Sequence, residues 1–288
     1  MKRWSRDLGL ETRMLLTMFL LAALYLLFLA VLWSMGVGRM TMLLLMGCMI
    51  FIQYFFSDKI ALSSMGAKVV SESQAPELHE TISRLCAIAG LPKPRVAIVK
   101  TDLPNAFATG RSQNNAVVAV TTGLLRRLDR SELEAVLAHE LTHVKNRDVM
   151  VITMASFLSM VAQMVVQNFF FMGGSRDDRE SGNLMIVWLV SILVWIVSFL
   201  LIQALSRYRE YSADRGAAII TGQPSSLISA LMKISGSMAT VPKEDLRRVE
   251  GMNAFFIIPT GALLNLFSTH PPIQDRIAAL EKLQREVL

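Results

Sequence analysis

Long apolar segments alternate with polar segments along the chain. The apolar segments run approximately over Met14–Ser34, Met40–Phe56, Val149–Phe171 and Leu184–Leu205. A helix needs about 20 mostly apolar residues to cross a lipid bilayer, and the second segment, at about 17, is the shortest of the four. The pattern predicts a four-span membrane protein with polar parts between and after the spans.

The polar part before the third span predicts a helix and a small sheet. Helical periodicity over residues 76–90 ends at Gly90, ahead of two prolines. The β-branched runs RVAIVKT and NAVVAVTT predict two strands, with a loop or an edge strand between them. A further helix is expected from Ser131 as its N-cap, with Glu134 as the capping-box partner.

The last polar part ends in an amphipathic helix, because Ile273, Ile277, Leu280 and Leu283 fall on one face. The expected fold class is therefore mainly α with a small β-sheet (α+β). Its expected divisions are residues 1–56 with the first two spans, 57–148 as one half of a polar domain, 149–205 with the other two spans, and 206–288 as the second half.

Composition agrees with a membrane protein. Hydrophobic residues make up 53% of the chain, charged residues only 18%, and the mean hydropathy is +0.45. Soluble domains average about 25% charged residues. Basic residues beside the spans explain the net charge of +6. The sequence has no basic stripe interleaved with aromatic residues, so nucleic-acid binding is not expected. No phosphate-binding loop is present, so no nucleotide is expected.

Basic residues beside the spans predict the orientation of the protein. Lys2, Arg3, Arg6 and Arg13 precede the first span, and Arg207, Arg209 and Arg215 follow the fourth. The link after the first span and the link between the third and fourth spans carry fewer basic residues. Because Lys and Arg collect on the cytoplasmic side, the N-terminus and both polar halves are expected there.

The sequence HELTH predicts a catalytic metal site. His139 and His143 are four residues apart, so on a helix both imidazoles leave the same face. This spacing suits two ligands of a single Zn²⁺ per chain, and Glu140 lies near enough to act as general base on the attacking water. The motif falls within an expected helix.

A catalytic zinc needs a third protein ligand. No third His follows at short spacing, but SRYREYSADRGAA offers Glu210, with Asp214 one turn later. Glu210 would be the ligand and Asp214 would accept the outer ring N–H of a ligating His. The alternative for this pair is a solvated helix face on which the acids pair with Arg207 and Arg215.

Four motifs together resemble one family. AHELTHVKNRD, REYSADRGAA, PNAFATG and STHPPIQDRI are similar to the HtpX family of membrane-embedded bacterial zinc metalloproteases, relatives of the CaaX prenyl proteases, and the similarity runs through nearly the whole chain. The resemblance implies a gluzincin-type site with His139, His143 and Glu210 as ligands and Glu140 as base. It also implies a role in membrane-protein quality control under heat or envelope stress.

The resemblance implies further site residues. Asn105 and Ala106 would lie on an edge strand that holds the substrate main chain by strand addition. His270 or Arg276 would stabilise the oxyanion of the tetrahedral intermediate. For Asn105 and Ala106 the alternative is an ordinary turn, and for His270 it is a buried loop position.

The expected function is a zinc endopeptidase of the bacterial inner membrane. Its partners would be the lipid bilayer and protein substrates, chiefly misfolded or damaged membrane proteins. Two alternatives stay open: a CaaX-type prenyl-peptide protease, and a non-catalytic membrane receptor or transporter with a structural metal. His143 lies six residues before the third span and Glu210 five after the fourth, which predicts a zinc about 8–10 Å outside the apolar layer if both helices are unbroken.

Overall fold

The computed structural model describes residues 8–34, 58–172, 178–238 and 270–287, with single helical positions at 44, 47, 48, 51 and 55. The described chain is mainly helical with one small mixed sheet, which confirms the predicted class at this level. The chain forms two compact units. We call residues 55–150 with 206–288 the sheet unit, and residues 6–54 with 151–205 the apolar unit.

The helices are α1 (Leu8–Ser34), α2 (Pro76–Ala89), α3 (Thr122–Arg127), α4 (Arg130–Lys145), α5 (Asp148–Met172), α6 (Asp178–Thr221), α7 (Pro224–Met238) and α8 (Ile273–Val287). The strands are β1 (Lys68–Val69), β2 (Arg95–Val99), β3 (Ala106–Thr109) and β4 (Val117–Thr121), and a 3-10 turn at Gln113–Asn115 precedes β4.

Three helices within the described ranges are long and apolar enough to cross a membrane: Leu8–Ser34, Asp148–Gln167 and Met185–Thr221. They overlap three of the four predicted spans, Met14–Ser34, Val149–Phe171 and Leu184–Leu205. Most of the predicted span Met40–Phe56 lies outside the described residues, which include only positions 44, 47, 48, 51 and 55 of it. Within the apolar unit, Phe28 packs with Phe157, Val187 and other apolar side chains, and the Tyr25 hydroxyl donates to the backbone carbonyl of Ala155.

The sheet has the order β1-β2-β4-β3. The two strands predicted from RVAIVKT and NAVVAVTT are β2 and β4, which pair in parallel, while β3 pairs antiparallel with β4. The stretch predicted as a loop or an edge strand therefore supplies the edge strand β3. One face of the sheet packs into the main core with Ile82 of α2, Leu137 of α4 and Leu231 of α7.

The start of α4 differs from the prediction. The N-cap is Asp129 rather than Ser131, because the Asp129 carboxylate accepts hydrogen bonds from the backbone N–H groups of Ser131 and Glu132. Glu132, not Glu134, closes the capping box by accepting from the Asp129 N–H at 2.9 Å. Glu134 instead receives two hydrogen bonds from Arg84, each 2.7 Å long.

The polar and apolar segments are joined in two different ways, by an unbroken helix and by an interrupted one. Helix α6 continues without a break from Asp178 to Thr221. Helix α4 ends at Lys145 and α5 begins at Asp148, so two residues interrupt the helix that the sequence suggested could be continuous. One of them, Arg147, has a left-handed backbone with φ 56°.

Candidate metal centre

Helix α4 presents His139 and His143 from one face. Their Nε2 atoms lie 3.1 Å apart and their ring planes are nearly perpendicular, at 88°. Both side chains are shielded from solvent, since 2% of His139 and 12% of His143 is exposed. Two imidazole nitrogens therefore point at one common position.

Helix α6 brings Glu210 to the same position. Its Oε2 lies 3.6 Å from His139 Nε2 and its Oε1 lies 3.3 Å from His143 Nε2. Zinc held tetrahedrally at 2.0–2.1 Å would separate its ligand atoms by about 3.3 Å. The three observed spacings scatter around that value, and the donor atoms all lie within 4.8 Å of one another. The residues predicted as ligands are thus brought together and fit one small cation.

A glycine lets the two helices approach so closely. A Cβ atom built on Gly216 of α6 would lie 2.3 Å from Cγ2 of Thr142, which stands between the two histidines on α4. Only the absence of a side chain at this position allows α6 to pack against Thr142 without displacement. Gly216 was not singled out from the sequence.

The charges around this position also favour a cation. Four carboxylates but only two guanidinium groups are buried here. Uncompensated buried charge is strongly unfavourable, so the two excess acids favour positive charge at this position, which protons on the imidazoles or a divalent cation can supply. The buried groups are Glu140, Asp148, Glu210, Asp214, Arg209 and Arg276.

The outer nitrogen of His139 faces a carboxylate that is itself held by an arginine. Nδ1 of His139 lies 3.0 Å from Oδ1 of Asp214. Arg276 of α8 donates to both oxygens of Asp214, from Nε at 2.8 Å and from Nη2 at 2.6 Å. Its Nη1 lies 3.3 Å from Oε2 of Glu210. Asp214 therefore has the position predicted for it, behind one of the histidines.

The outer nitrogen of His143 has an equivalent partner that sequence reasoning missed. Nδ1 of His143 and Oδ2 of Asp148 are 2.6 Å apart, and Nε of Arg209 lies 3.0 Å from the other oxygen of Asp148. A signal was available, because an acid follows the second histidine by five residues. Nothing in the sequence shows that the chain turns back between them.

These carboxylates change the protonation of the histidines. Burial lowers the pKa of His143, but hydrogen bonds to Asp148 and Glu210 outweigh it and raise that pKa to about 10. For His139, burial again opposes protonation, and Asp214 and Glu210 raise the pKa overall. The acids thus attract positive charge to the site, and a metal ion that binds there must displace protons.

The remaining predicted residues also lie in the sheet unit. Glu140 is 4% exposed and is adjacent to His139 on α4. Nδ1 of His270 lies 3.2 Å from Oε2 of Glu210. Arg276 is 1% exposed, and its contacts are with Asp214 and Glu210. Asn105 and Ala106, at the start of β3, are buried beside α4.

Comparison with known proteins adds to this geometry. Residues 72–284 match peptidase family M48. The chain belongs to peptidase family M48. It is 63% identical to Protease HtpX homolog 2 of Methanosarcina mazei over 99% of both chains. It is 60% identical to a Protease HtpX homolog of Moorella thermoacetica, over 99% of this chain and 98% of the relative.

The fold of this M48 peptidase resembles a solved structure. The crystal structure of S. mikatae Ste24p matches with a TM-score of 0.54 at 19% identity, over 96% of this chain and 67% of that one. At this identity the match concerns the fold. Family membership and the HtpX relatives confirm the predicted resemblance: the chain is a metalloprotease that acts on protein or peptide substrates. This argues against a non-catalytic receptor or transporter.

Proposed function

We propose that the chain is a zinc endopeptidase of the cell membrane that cleaves misfolded or damaged membrane proteins and their cytoplasmic regions. The observation that carries the proposal is the convergence of His139 Nε2, His143 Nε2 and a Glu210 oxygen at spacings suited to one zinc ion. Nitrogen and carboxylate donors suit zinc, and three protein ligands are typical of its catalytic sites.

A zinc ion held by these ligands would polarise the peptide carbonyl and lower the pKa of a water molecule to about 7. Glu140 takes a proton from that water as its oxygen forms a bond with the carbonyl carbon. Glu140 then gives the proton to the amine nitrogen as the C–N bond breaks. The buried position of Glu140 next to His139 supports this role.

Two neighbours support the other steps. We propose His270 for stabilising the oxyanion, because it lies beside Glu210, whereas Arg276 engages both Asp214 and Glu210. We assign to Arg276 the task of holding those two carboxylates. Asp214 in turn orients His139 through Nδ1.

Substrate binding is proposed along the edge of β3 that faces away from β4. Among the described strands, β3 pairs with β4 alone, and it lies beside α4, so an extended peptide could add to its other edge. A small open recess adjoins this edge. Thr109, Gly110 and Arg111 line it on the strand side, and His143 and Arg147 line it opposite. Asn105 and Ala106 would contribute at the start of the strand.

The membrane setting is supported by the three apolar helices, and the second predicted span rests on the apolar run Met40–Phe56. Helix α6 supports a site close to the bilayer, because the same unbroken helix contains an apolar segment and Glu210. The distribution of Lys and Arg supports a cytoplasmic N-terminus and a cytoplasmic active site. Loops and damaged spans emerging from the bilayer would be within reach.

The test uses the full-length protein purified in detergent. We expect cleavage of casein and of an unfolded membrane protein, loss of cleavage with a chelator, and recovery with Zn²⁺ at about one ion per chain. A farnesylated CaaX peptide serves as the comparison substrate. Cleavage of that peptide alone would favour a prenyl-peptide protease, and cleavage unaffected by chelation would contradict the zinc mechanism.

A further inference from the structure

Asp148 is a buried acid that the mechanism above does not use. It is the first residue of α5 and only 1% exposed. An acid at a helix start ordinarily faces the backbone N–H groups of the first turn. Here both carboxylate oxygens face side chains instead, Oδ2 toward His143 at 2.6 Å and Oδ1 toward Arg209 at 3.0 Å.

The backbone is shaped to bring Asp148 to this position. Arg147 is the sole non-glycine residue with positive φ in the described part of the chain, at 56°. A left-handed arginine is unfavourable and persists where surrounding contacts fix it. The N–H groups of Asn146 and Arg147 bond to the carbonyls of Thr142 and Val144, which ends α4 and turns the chain back. Asp148 then lies against the ring of His143.

Arg209 ties this acid to the second ligand-bearing helix. It immediately precedes Glu210 on α6 and is 9% exposed, so its charge is held in a mostly dry environment. The chain of contacts Arg209–Asp148–His143 repeats the chain Arg276–Asp214–His139 on the other side of the centre. Each histidine thus has an acid behind it, and each acid has an arginine.

We propose that Asp148 is a positioning residue for the metal centre. It accepts a hydrogen bond from Nδ1 of His143, which directs Nε2 toward the ion, while Arg209 holds the carboxylate in place. This inference rests on the proposed function, because it requires His143 to be a zinc ligand. Its effect on the centre is transmitted through His143.

The test measures Zn²⁺ affinity of the metal-free, full-length protein by competition with a chromophoric chelator. We expect Asp148→Asn to raise the dissociation constant by about 10–100-fold and to change the visible spectrum of the Co²⁺-loaded protein. The matched control is Glu132→Gln, which alters a buried acid at the other end of α4. It should leave both the affinity and the spectrum unchanged.

Wild-type affinity and spectrum in Asp148→Asn would overturn the inference. If that variant does not fold, Arg209→Gln decides, with a smaller weakening of affinity in support and wild-type affinity against. Failure of the proposed function itself would be seen differently, as a wild-type protein that binds no stoichiometric zinc or cleaves no protein.

Discussion

The two sides of the metal centre use the same kinds of residue but assemble them differently. Behind His139, Asp214 comes from α6 and Arg276 from α8, and Arg276 holds the acid with two hydrogen bonds. Behind His143, Asp148 is only five residues away in the chain, and Arg209 approaches it through one nitrogen. The first side depends on distant parts of the fold, and the second depends on a local turn.

This difference separates stability from ligand orientation. Arg276 is almost fully buried and touches two carboxylates, so the His139 side joins α6 to α8. The His143 side is more exposed, since 12% of that histidine reaches solvent against 2% of His139. We therefore expect damage on the His139 side to affect folding, and damage on the His143 side to affect mainly metal binding.

The largest expected loss of stability comes from removing an arginine, and two single variants, one on each side, are compared. Arg276→Ala would leave Asp214 and Glu210 without their guanidinium and should lower the free energy of unfolding by about 3–5 kcal/mol. Arg209→Ala should cost less, about 2 kcal/mol, because Asp148 keeps His143. Chemical unfolding of the metal-free variants in detergent measures both. Equal losses would remove the distinction between the two sides.

A smaller effect is expected where the two helices meet. Gly216→Ala would force a methyl group against Thr142 and should cost about 1–3 kcal/mol. Because both histidines and Glu210 depend on this approach, zinc affinity should fall as well. Thr142→Ala combined with Gly216→Ala removes the nearest atoms and should recover part of both losses, as measured by unfolding and by Zn²⁺ competition. No recovery would contradict this account of the helix contact.

The smallest effect should leave the metal centre alone. Glu132 is buried, accepts hydrogen bonds from Ser229 and Lys233 of α7, and caps α4. Glu132→Gln should lower the free energy of unfolding by about 1–2 kcal/mol at neutral pH without changing zinc affinity. A fall in affinity would show that stability and metal binding are not separable on this helix.

The pH dependence of that variant has a definite sign. Burial raises the pKa of Glu132, but the hydrogen bonds from Lys233 and Ser229 outweigh it and hold the pKa below its usual 4.5. The stability it contributes is therefore present above about pH 4.5 and is lost as the pH falls through its folded value. Unfolding measured across this range should be less pH-dependent in Glu132→Gln than in the wild type.

The alignment within each pair of candidate residues could be predicted because it is local. His139 and His143 share a helix face by spacing alone, and Asp214 follows Glu210 by one turn, so a helix suffices to align each pair. The strands β2 and β4 were predicted for a similar reason, since β-branched residues fill them.

Other features depend on contacts that the sequence does not reveal. Asp148 reaches His143 because Arg147 adopts a left-handed backbone. Non-glycine residues rarely adopt this conformation, so the sequence gives no reason to expect it at an arginine. The helix start was misplaced by two residues because Ser131 is also a good cap. Asp129 is the cap because its capping-box partner, Glu132, is held in place by two side chains of α7. The family resemblance linked Arg276 to the site. Its pairing with Asp214 could not be predicted, because the two residues lie on different helices, α8 and α6.

In the proposed mechanism, Glu140 would act on water at a zinc ion held by its neighbours. The most direct test is the metal-to-protein ratio of Glu140→Gln, measured together with its cleavage of casein. We expect about one zinc per chain, as in the wild type, and no detectable cleavage. Wild-type cleavage by Glu140→Gln would rule out Glu140 as the general base.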